Sequence, residues 1–233
     1  MIRGFYTASS GLISQQNYLN TIANNVANIS TTAFKPQVTA FSSLLYENID
    51  GGAGTNISTG HGAKVEKNGI DFTESGQEKT DQPLDCAIEG DGFFAVQNKS
   101  ANTVTYTRDG AFSISVEGDQ KYLVNTEGNY VLGTDKNPIN ITNGFEANSV
   151  GIFSFSNPYG LQLTGNNQYA ATNVSGQATV NTENTIKTGY LETSGTDLTK
   201  EMTKMIEASK AFSFNSKILQ STDDIEKIVN QLR

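Results

Sequence analysis

The sequence predicts an α+β chain in which a helix at each end pairs with the other as a coiled coil, with a central, mainly antiparallel β domain between them. Apolar residues seven apart near both termini predict the helices, and a switch to period two with frequent turns predicts the β domain. The distribution of charge says how the parts are used. The 233 residues include 16 basic and 24 acidic side chains, a net of −8. Residues 1–35 carry two basic residues and no acid, residues 197–233 carry six of each sign, and residues 36–196 carry a net of −10.

In residues 1–35, Phe5, Leu12, Leu19 and Val26 stand seven apart, with Ala8, Gln15, Ile22 and Ile29 as a second register. That is the seam of a helix packed on another helix. Pro36 closes it, because the residue before a proline is pushed out of the α region. From Gly4 to Phe34 there is no charged residue in 31 consecutive positions. A solvated amphipathic helix carries Lys and Glu on its outer face, whereas this one carries Ser, Thr, Asn and Gln there. Burying a charge is expensive, while burying an amide or hydroxyl with a partner is tolerable. The pattern implies a helix contacted on every side. A core helix of a monomer would also be uncharged, but Asn24, Asn25, Asn28 and residues 30–32 are weak helix formers. Such a helix is marginal alone and folds when partners supply packing.

Residues 36–75 read as an extended linker or arm. The Gly-rich stretch 50–62 holds too few apolar side chains for a core and is expected to move in the free chain. Over residues 76–194 apolar positions alternate, as in Leu84, Cys86 and Ile88, or Phe112, Ile114 and Val116. Turn signals recur at Gly90-Asp91-Gly92, Asp109-Gly110, Glu127-Gly128-Asn129 and Asn157-Pro158. Short strands with frequent turns describe an antiparallel β domain. Residues 195–233 return to helical spacing: Leu198, Met205, Phe212 and Leu219 are seven apart, and Met202, Ala208, Ile218, Ile225 and Val229 widen the stripe. Ser194 or Thr196 is the expected cap, with Asp197 and Glu201 at the positive end of the dipole.

The acidic balance excludes the broad basic surface of a nucleic-acid binder. No stretch reaches the roughly 18 apolar residues of a membrane helix, and no cleaved signal is evident. Cys86 stands alone, so an internal disulfide is excluded, and its alternation with Leu84 and Ile88 suits a small buried apolar role. His61 is the one histidine, which rules out a multi-His metal site within one chain. Asp85, Glu89, Asp91 and Asp109 resemble a carboxylate cluster for acid and base catalysis, but they sit where strand ends and turns put Asp. Gly90-Asp91-Gly92 lacks the Lys and Ser/Thr of a phosphate loop. Met202, Met205 and Phe212 fit a helix seam rather than a ligand stripe. No catalytic residue, cofactor or metal is expected.

Four segments carry a resemblance. Residues 20–35, reading from Asn20-Thr21-Ile22-Ala23-Asn24-Asn25 to Phe34-Lys35, Asp85-Cys86-Ala87-Ile88-Glu89-Gly90-Asp91-Gly92-Phe93-Phe94, Tyr106-Thr107-Arg108-Asp109-Gly110-Ala111-Phe112, and Gly189-Tyr190-Leu191-Glu192 running on to Phe212 resemble, in order, the signatures of the bacterial flagellar basal-body rod and hook proteins. The match departs from the usual pattern at Ala33, where the family has Gly, at Ser194-Gly195-Thr196 and at Phe212. The resemblance implies a structural, self-assembling subunit of the flagellar rod in the basal body. It implies helices from both ends forming an inner layer and export through the flagellar type III apparatus. Residues 82–85 lean towards the proximal rod type, with a distal rod or hook-type protein as the alternative. The reading from another class is a secreted β-rich carbohydrate-binding or hydrolytic protein, made less attractive by the absence of Trp.

The expected assembly interface is Leu12, Leu19, Ile22, Asn24, Asn25, Val26, Asn28, Phe34, Leu198, Met202, Met205, Phe212 and Leu219. Within it, Asn24, Asn25 and Asn28 are expected to hydrogen-bond between subunits and fix register, as a buried Asn does in coiled coils. The expected partners are other rod and hook subunits, further copies of the chain and the export apparatus, with no nucleic acid and no stable membrane insertion.

Overall fold

The computed structural model describes residues 3–50, 56–99, 101–142, 144–182 and 184–232. The chain divides into two units, each built from segments far apart in sequence. Met1–Ala27, Gln37–Ile70 and Asp197–Arg233 make a helical unit, and Asn28–Pro36 with Asp71–Thr196 make a β unit. The backbone therefore passes between them four times, at residues 27/28, 36/37, 70/71 and 196/197.

In the helical unit, α1 spans Arg3–Ala27, ending eight residues before the boundary the sequence predicted at residue 35. The weak helix formers at Asn28 and beyond are one reason. The other is Ala33, whose φ of +54° is left-handed and incompatible with a continuing helix. Helix α2 spans Leu198–Gln231. Its cap is Asp197 rather than Ser194 or Thr196: Oδ1 accepts the Thr199 and Lys200 N–H groups at 3.0 and 3.2 Å. That is the bonding a helix N-terminus leaves open.

Within residues 36–75, expected as an extended linker or arm, residues 37–70 hold paired strands. Strand β1 (Gln37–Ser43) leads through β2 (Tyr46–Asp50) and β3 (Asn56–Gly60) to β4 (Ala63–Ile70). β1 pairs antiparallel with β4 and β2 with β3. Residues 51–55 of the Gly-rich stretch lie outside the described residues. The ribbon gains its order from the face it lays on α1, which composition alone does not reveal.

The β unit carries β5 (Gln77–Lys79), β6 (Cys86–Glu89), β7 (Phe93–Gln97), β8 (Val104–Thr107), β9 (Ser113–Glu117), β10 (Gln120–Val124) and β11 (Tyr130–Val131), followed by β12 (Ile152–Ser154), β13 (Gln162–Gly165), β14 (Gln168–Ala170), β15 (Thr179–Val180), β16 (Thr185–Thr188) and β17 (Tyr190–Glu192). One sheet runs β13-β14-β8-β7-β11-β10-β9, with β12 joining β7 to β15; β16 pairs with β6 and β17 with β5. Every pairing between these strands is antiparallel. Its core gathers Cys86, Ile88, Phe94, Val96, Phe112, Leu123 and Val131 with their neighbours. Phe94 meets Phe112 edge to face at 5.1 Å. Gly110 lies so close to this core that a Cβ there would sit 1.7 Å from the Cys86 carbonyl oxygen, which explains an obligatory glycine in the Asp-Gly turn.

Candidate assembly surfaces

Helix α1 has three faces, and two are occupied by its own unit. The face carrying Ser10, Ser14, Tyr18, Thr21 and Asn25 meets the ribbon. Ser14 Oγ donates to the Ala63 carbonyl at 3.0 Å, and Thr39 Oγ1 donates to Thr21 Oγ1 at 3.2 Å. Tyr18 packs edge to face on Phe41 at 5.3 Å. A Cβ on Gly62 would lie 2.0 Å from Ser10 Oγ, so the ribbon approaches the helix as closely as a bare backbone permits. Asn25 reads the backbone of Gln37 from both sides, accepting its N–H and donating to its carbonyl at 2.9 Å each. The small hydroxyls and amides that replace charge on α1 serve this contact.

The second face meets α2. Gly11 stands against Asn215, and Asn25 Nδ2 donates to Glu201 Oε2 at 3.2 Å. Fourteen residues forward in α1 thus match fourteen residues backward in α2, and the helices run antiparallel. Ala8, Ile22 and Ala208 are buried here. Glu201 is also held by Lys204 Nζ at 2.7 Å; burial raises the pKa of Tyr18 against the opposing charge of Lys204, with Glu201 and Glu207 adding to the rise. Continuing the same register, Arg3 stands level with Asp223, so the end of α2 runs past described α1. Ile225, Ile228 and Val229 are all more than half exposed there.

The third face of α1 carries Tyr6, Ile13, Asn17, Asn20 and Asn24, again without charge. Tyr6 and Ile13 are 55% and 62% exposed. Asn17, Asn20, Thr21 and Asn24 line a groove of about 350 Å³ with Gln37, Val65 and Asn68. On α2, Leu198, Met202, Ile206, Phe214 and Ile218 are exposed, and on the ribbon so are Val38, Phe41, Leu45, Tyr46 and Ile57. Among the described residues, 17 of the 24 exposed large apolar side chains lie in the helical unit, but only three of the 25 buried apolar ones.

The expected interface residues separate accordingly. Asn24, Leu198 and Met202 are exposed, and Leu12, Leu19, Val26, Asn28, Met205, Phe212 and Leu219 are half-buried. Three are enclosed by their own chain. Ile22 is buried in the helix pair and Phe34 in the β unit. Asn25 spends its amide on Gln37 and Glu201, which corrects its expected role between subunits. The ribbon side chains were missed because the Gly-rich stretch pointed to a linker, although Val38 and Phe41 flank it with strand-like composition. Tyr6 and Ile13 were legible as a third pair seven apart.

Among the described residues of the β unit, Asp85 and Asp109, two of the carboxylates weighed from sequence as a reaction centre, are engaged in turns. Thr80 Oγ1 donates to Asp85 at 2.6 Å, and Asp109 Oδ1 accepts the Ala111 N–H at 3.1 Å, so these carboxylates tie turns together. Burial raises the pKa of Asp109, helped by the nearby Asp85 charge. Burial pushes the Cys86 thiol up to about 12, leaving it protonated at neutral pH. A cleft of about 460 Å³ has walls of Phe72, Phe93, Phe155 and Tyr159 but a single carboxylate, Asp91, whereas glycoside hydrolysis uses two. Among the described residues no cluster of metal-ligating side chains occurs, and no helix is long and apolar enough to cross a membrane.

A β unit that encloses its apolar side chains, joined to a helical unit that leaves most of its large ones exposed, is the pattern of a subunit of a larger assembly. The comparisons agree. Residues 5–35 match the flagella basal body rod protein model, residues 87–154 the flagellar hook protein FlgE/F/G D1 domain, and residues 187–232 the flagellar basal body rod FlgEFG protein C-terminal model. The flagellar basal-body rod protein FlgG of Borreliella burgdorferi is 32% identical, covering all of this chain and 99% of its own length. That of Bacillus subtilis is 30% identical with both chains fully covered, and the flagellar hook-basal body complex protein FlhP of Bacillus subtilis is 27% identical with the same coverage. The chain belongs to the flagellar basal-body rod protein family. It is a structural subunit of the flagellar rod in the basal body, and membership implies assembly with other axial subunits.

Proposed function

We propose that this rod subunit polymerises through its helical unit, with α1 and α2 paired as a coiled coil whose remaining faces are covered by neighbouring subunits. One observation carries the reading: the helical unit holds most of the exposed large apolar side chains and few of the buried ones. A half-exposed Ile or Leu covered by a neighbour contributes about 1 kcal/mol, so a row of them on α1, α2 and the ribbon supplies the driving force for association. The interface is Asn24, Leu198 and Met202, extended by Tyr6, Ile13, Ile206, Phe214 and Ile218, with the half-buried Leu12, Leu19, Val26, Met205, Phe212 and Leu219 completing the seam. Its neighbours are further copies and other rod and hook subunits.

The subunit acts without catalysis, binds no nucleic acid and does not insert stably in a membrane. It reaches its place through the flagellar type III export apparatus with its helical unit unformed, since helices marginal alone fold when partners pack on them. Ile13→Asp and Met202→Asp test this by placing a charge on an open face. Each variant is expected to be exported and to keep a folded β unit, yet to be missing from purified basal bodies. Normal incorporation of both would sink the reading.

A further inference from the structure

Each of the four signature segments sends a residue to one place in the β unit. Lys35 ends the first, Gly90 and Gly92 stand in the second, Arg108 in the third and Glu192 in the fourth. Lys35, Arg108 and Glu192 are 2–3% exposed. Glu192 Oε1 accepts from Lys35 Nζ at 2.7 Å, from the Ser75 N–H at 3.0 Å and from Arg108 Nη1 at 3.1 Å. Lys35 Nζ donates again to the Thr73 carbonyl at 2.6 Å. Arg108 Nε donates to the Gly92 carbonyl at 2.9 Å, and Nη2 donates to that of Gly90.

A buried ion group of this kind is poor evidence for net stability, because desolvation offsets the attraction, but breaking it strands a charge. Its value lies in what it holds together. Around it, Ala33 N–H donates to the Glu192 carbonyl and Gly195 N–H to the Phe34 carbonyl, both at 2.9 Å. Asn167 Nδ2 donates to the Thr32 carbonyl at 2.9 Å. The residues after α1 and the residues before α2 are thus bonded to each other inside the β unit.

We propose that Lys35, Glu192 and Arg108 form a clamp that fixes residues 28–36 in the β unit of the free subunit before either helix is ordered. The roots of α1 and α2 are then already joined when neighbours arrive. Joining them shortens the loop that helix pairing has to close, which lowers its entropic cost. Lys35 is the removable part, since without it Glu192 and Arg108 still neutralise one another. This goes beyond the assembly reading, which requires only that the helical unit be incomplete alone.

Hydrogen exchange of the full-length free subunit tests it. In the unaltered chain, residues 29–35 are expected to exchange at least tenfold more slowly than residues 5–27. Lys35→Met, which keeps the length and removes the charge, is expected to erase that difference while residues 93–96 and 122–124 stay protected. Exchange of residues 29–35 together with residues 5–27 in the unaltered chain would overturn the clamp, as would full protection of 29–35 in Lys35→Met. Loss of protection at 93–96 in Lys35→Met would also overturn it, because the group would then be part of the core rather than a separable clamp. These measurements are made without assembly, so their failure leaves the assembly reading standing.

Discussion

The helical unit and the β unit are opposite solutions to burying apolar surface. The β unit keeps its large side chains inside, with Phe94, Phe153 and Leu123 at most 1% exposed. The helical unit encloses two alanines and Ile22, and turns Ile13, Ile206, Phe214 and Ile218 outward. Both units use small polar residues heavily, yet to different ends: turns in one, and close contact between helix and ribbon in the other. The difference teaches that one chain encloses its large apolar side chains in one unit and leaves most of those in the other exposed.

The sharpest way to break that comparison is a matched pair of truncations. Phe94→Ala is expected to destabilise the free subunit by about 3–5 kcal/mol, the cost of removing a buried aromatic from a packed core. Ile13→Ala is expected to stay within about 0.5 kcal/mol in the same urea titration, as an exposed substitution does. Equal losses would show that the helical unit is as self-sufficient as the β unit. A smaller effect is expected at Ala33, which pays for its left-handed φ of +54° without glycine's freedom. Ala33→Gly is expected to raise the stability of the β unit by about 0.5–1 kcal/mol, read as a higher thermal midpoint; a lower midpoint would mean that the turn is not strained.

The smallest effect concerns pH. The Lys200 N–H, with further help from Lys200 and Thr199, holds the Asp197 carboxyl below its ordinary value of 3.8. A carboxyl lowered on folding contributes stability that is present above its unfolded pKa and is lost as pH falls through its folded one. In assembled rods the Thr199 and Lys200 amides are therefore expected to lose exchange protection on acidification below about pH 4. Asp197→Asn, which caps without titrating, is expected to remove this dependence. An acid transition unchanged in Asp197→Asn would assign it elsewhere.

The α+β class was legible because both periodicities are strong; of the contacts on every side that the absence of charge from Gly4 to Phe34 implied, the chain itself supplies two, and Tyr6 and Ile13 on the third face are exposed. What crowds it was not legible. Ser14, Thr21 and Asn25 meet a ribbon whose partners lie 12 to 49 residues away, and no local pattern encodes that pairing. Asn25 illustrates the limit: an uncharged amide on a helix suits a neighbour in another subunit or a strand in its own chain, and only the position of Gln37 decides. The end of α1 was missed for a related reason. Pro36 set the last possible boundary, while the departure from glycine at Ala33 was recognised without the backbone conformation it implies. Lys35, Arg108 and Glu192 each sat in a recognised motif, but their convergence depends on side-chain contacts as far as 157 residues apart.

The four passages of the backbone between the units have a mechanical consequence. Two units strung in series share one connection, and a pull on either is borne at a single hinge. Here the helical unit and the β unit share four, at residues 27/28, 36/37, 70/71 and 196/197. A twisting load on one reaches the other through four covalent strands in parallel, and a single cut at any one of them leaves three still carrying it.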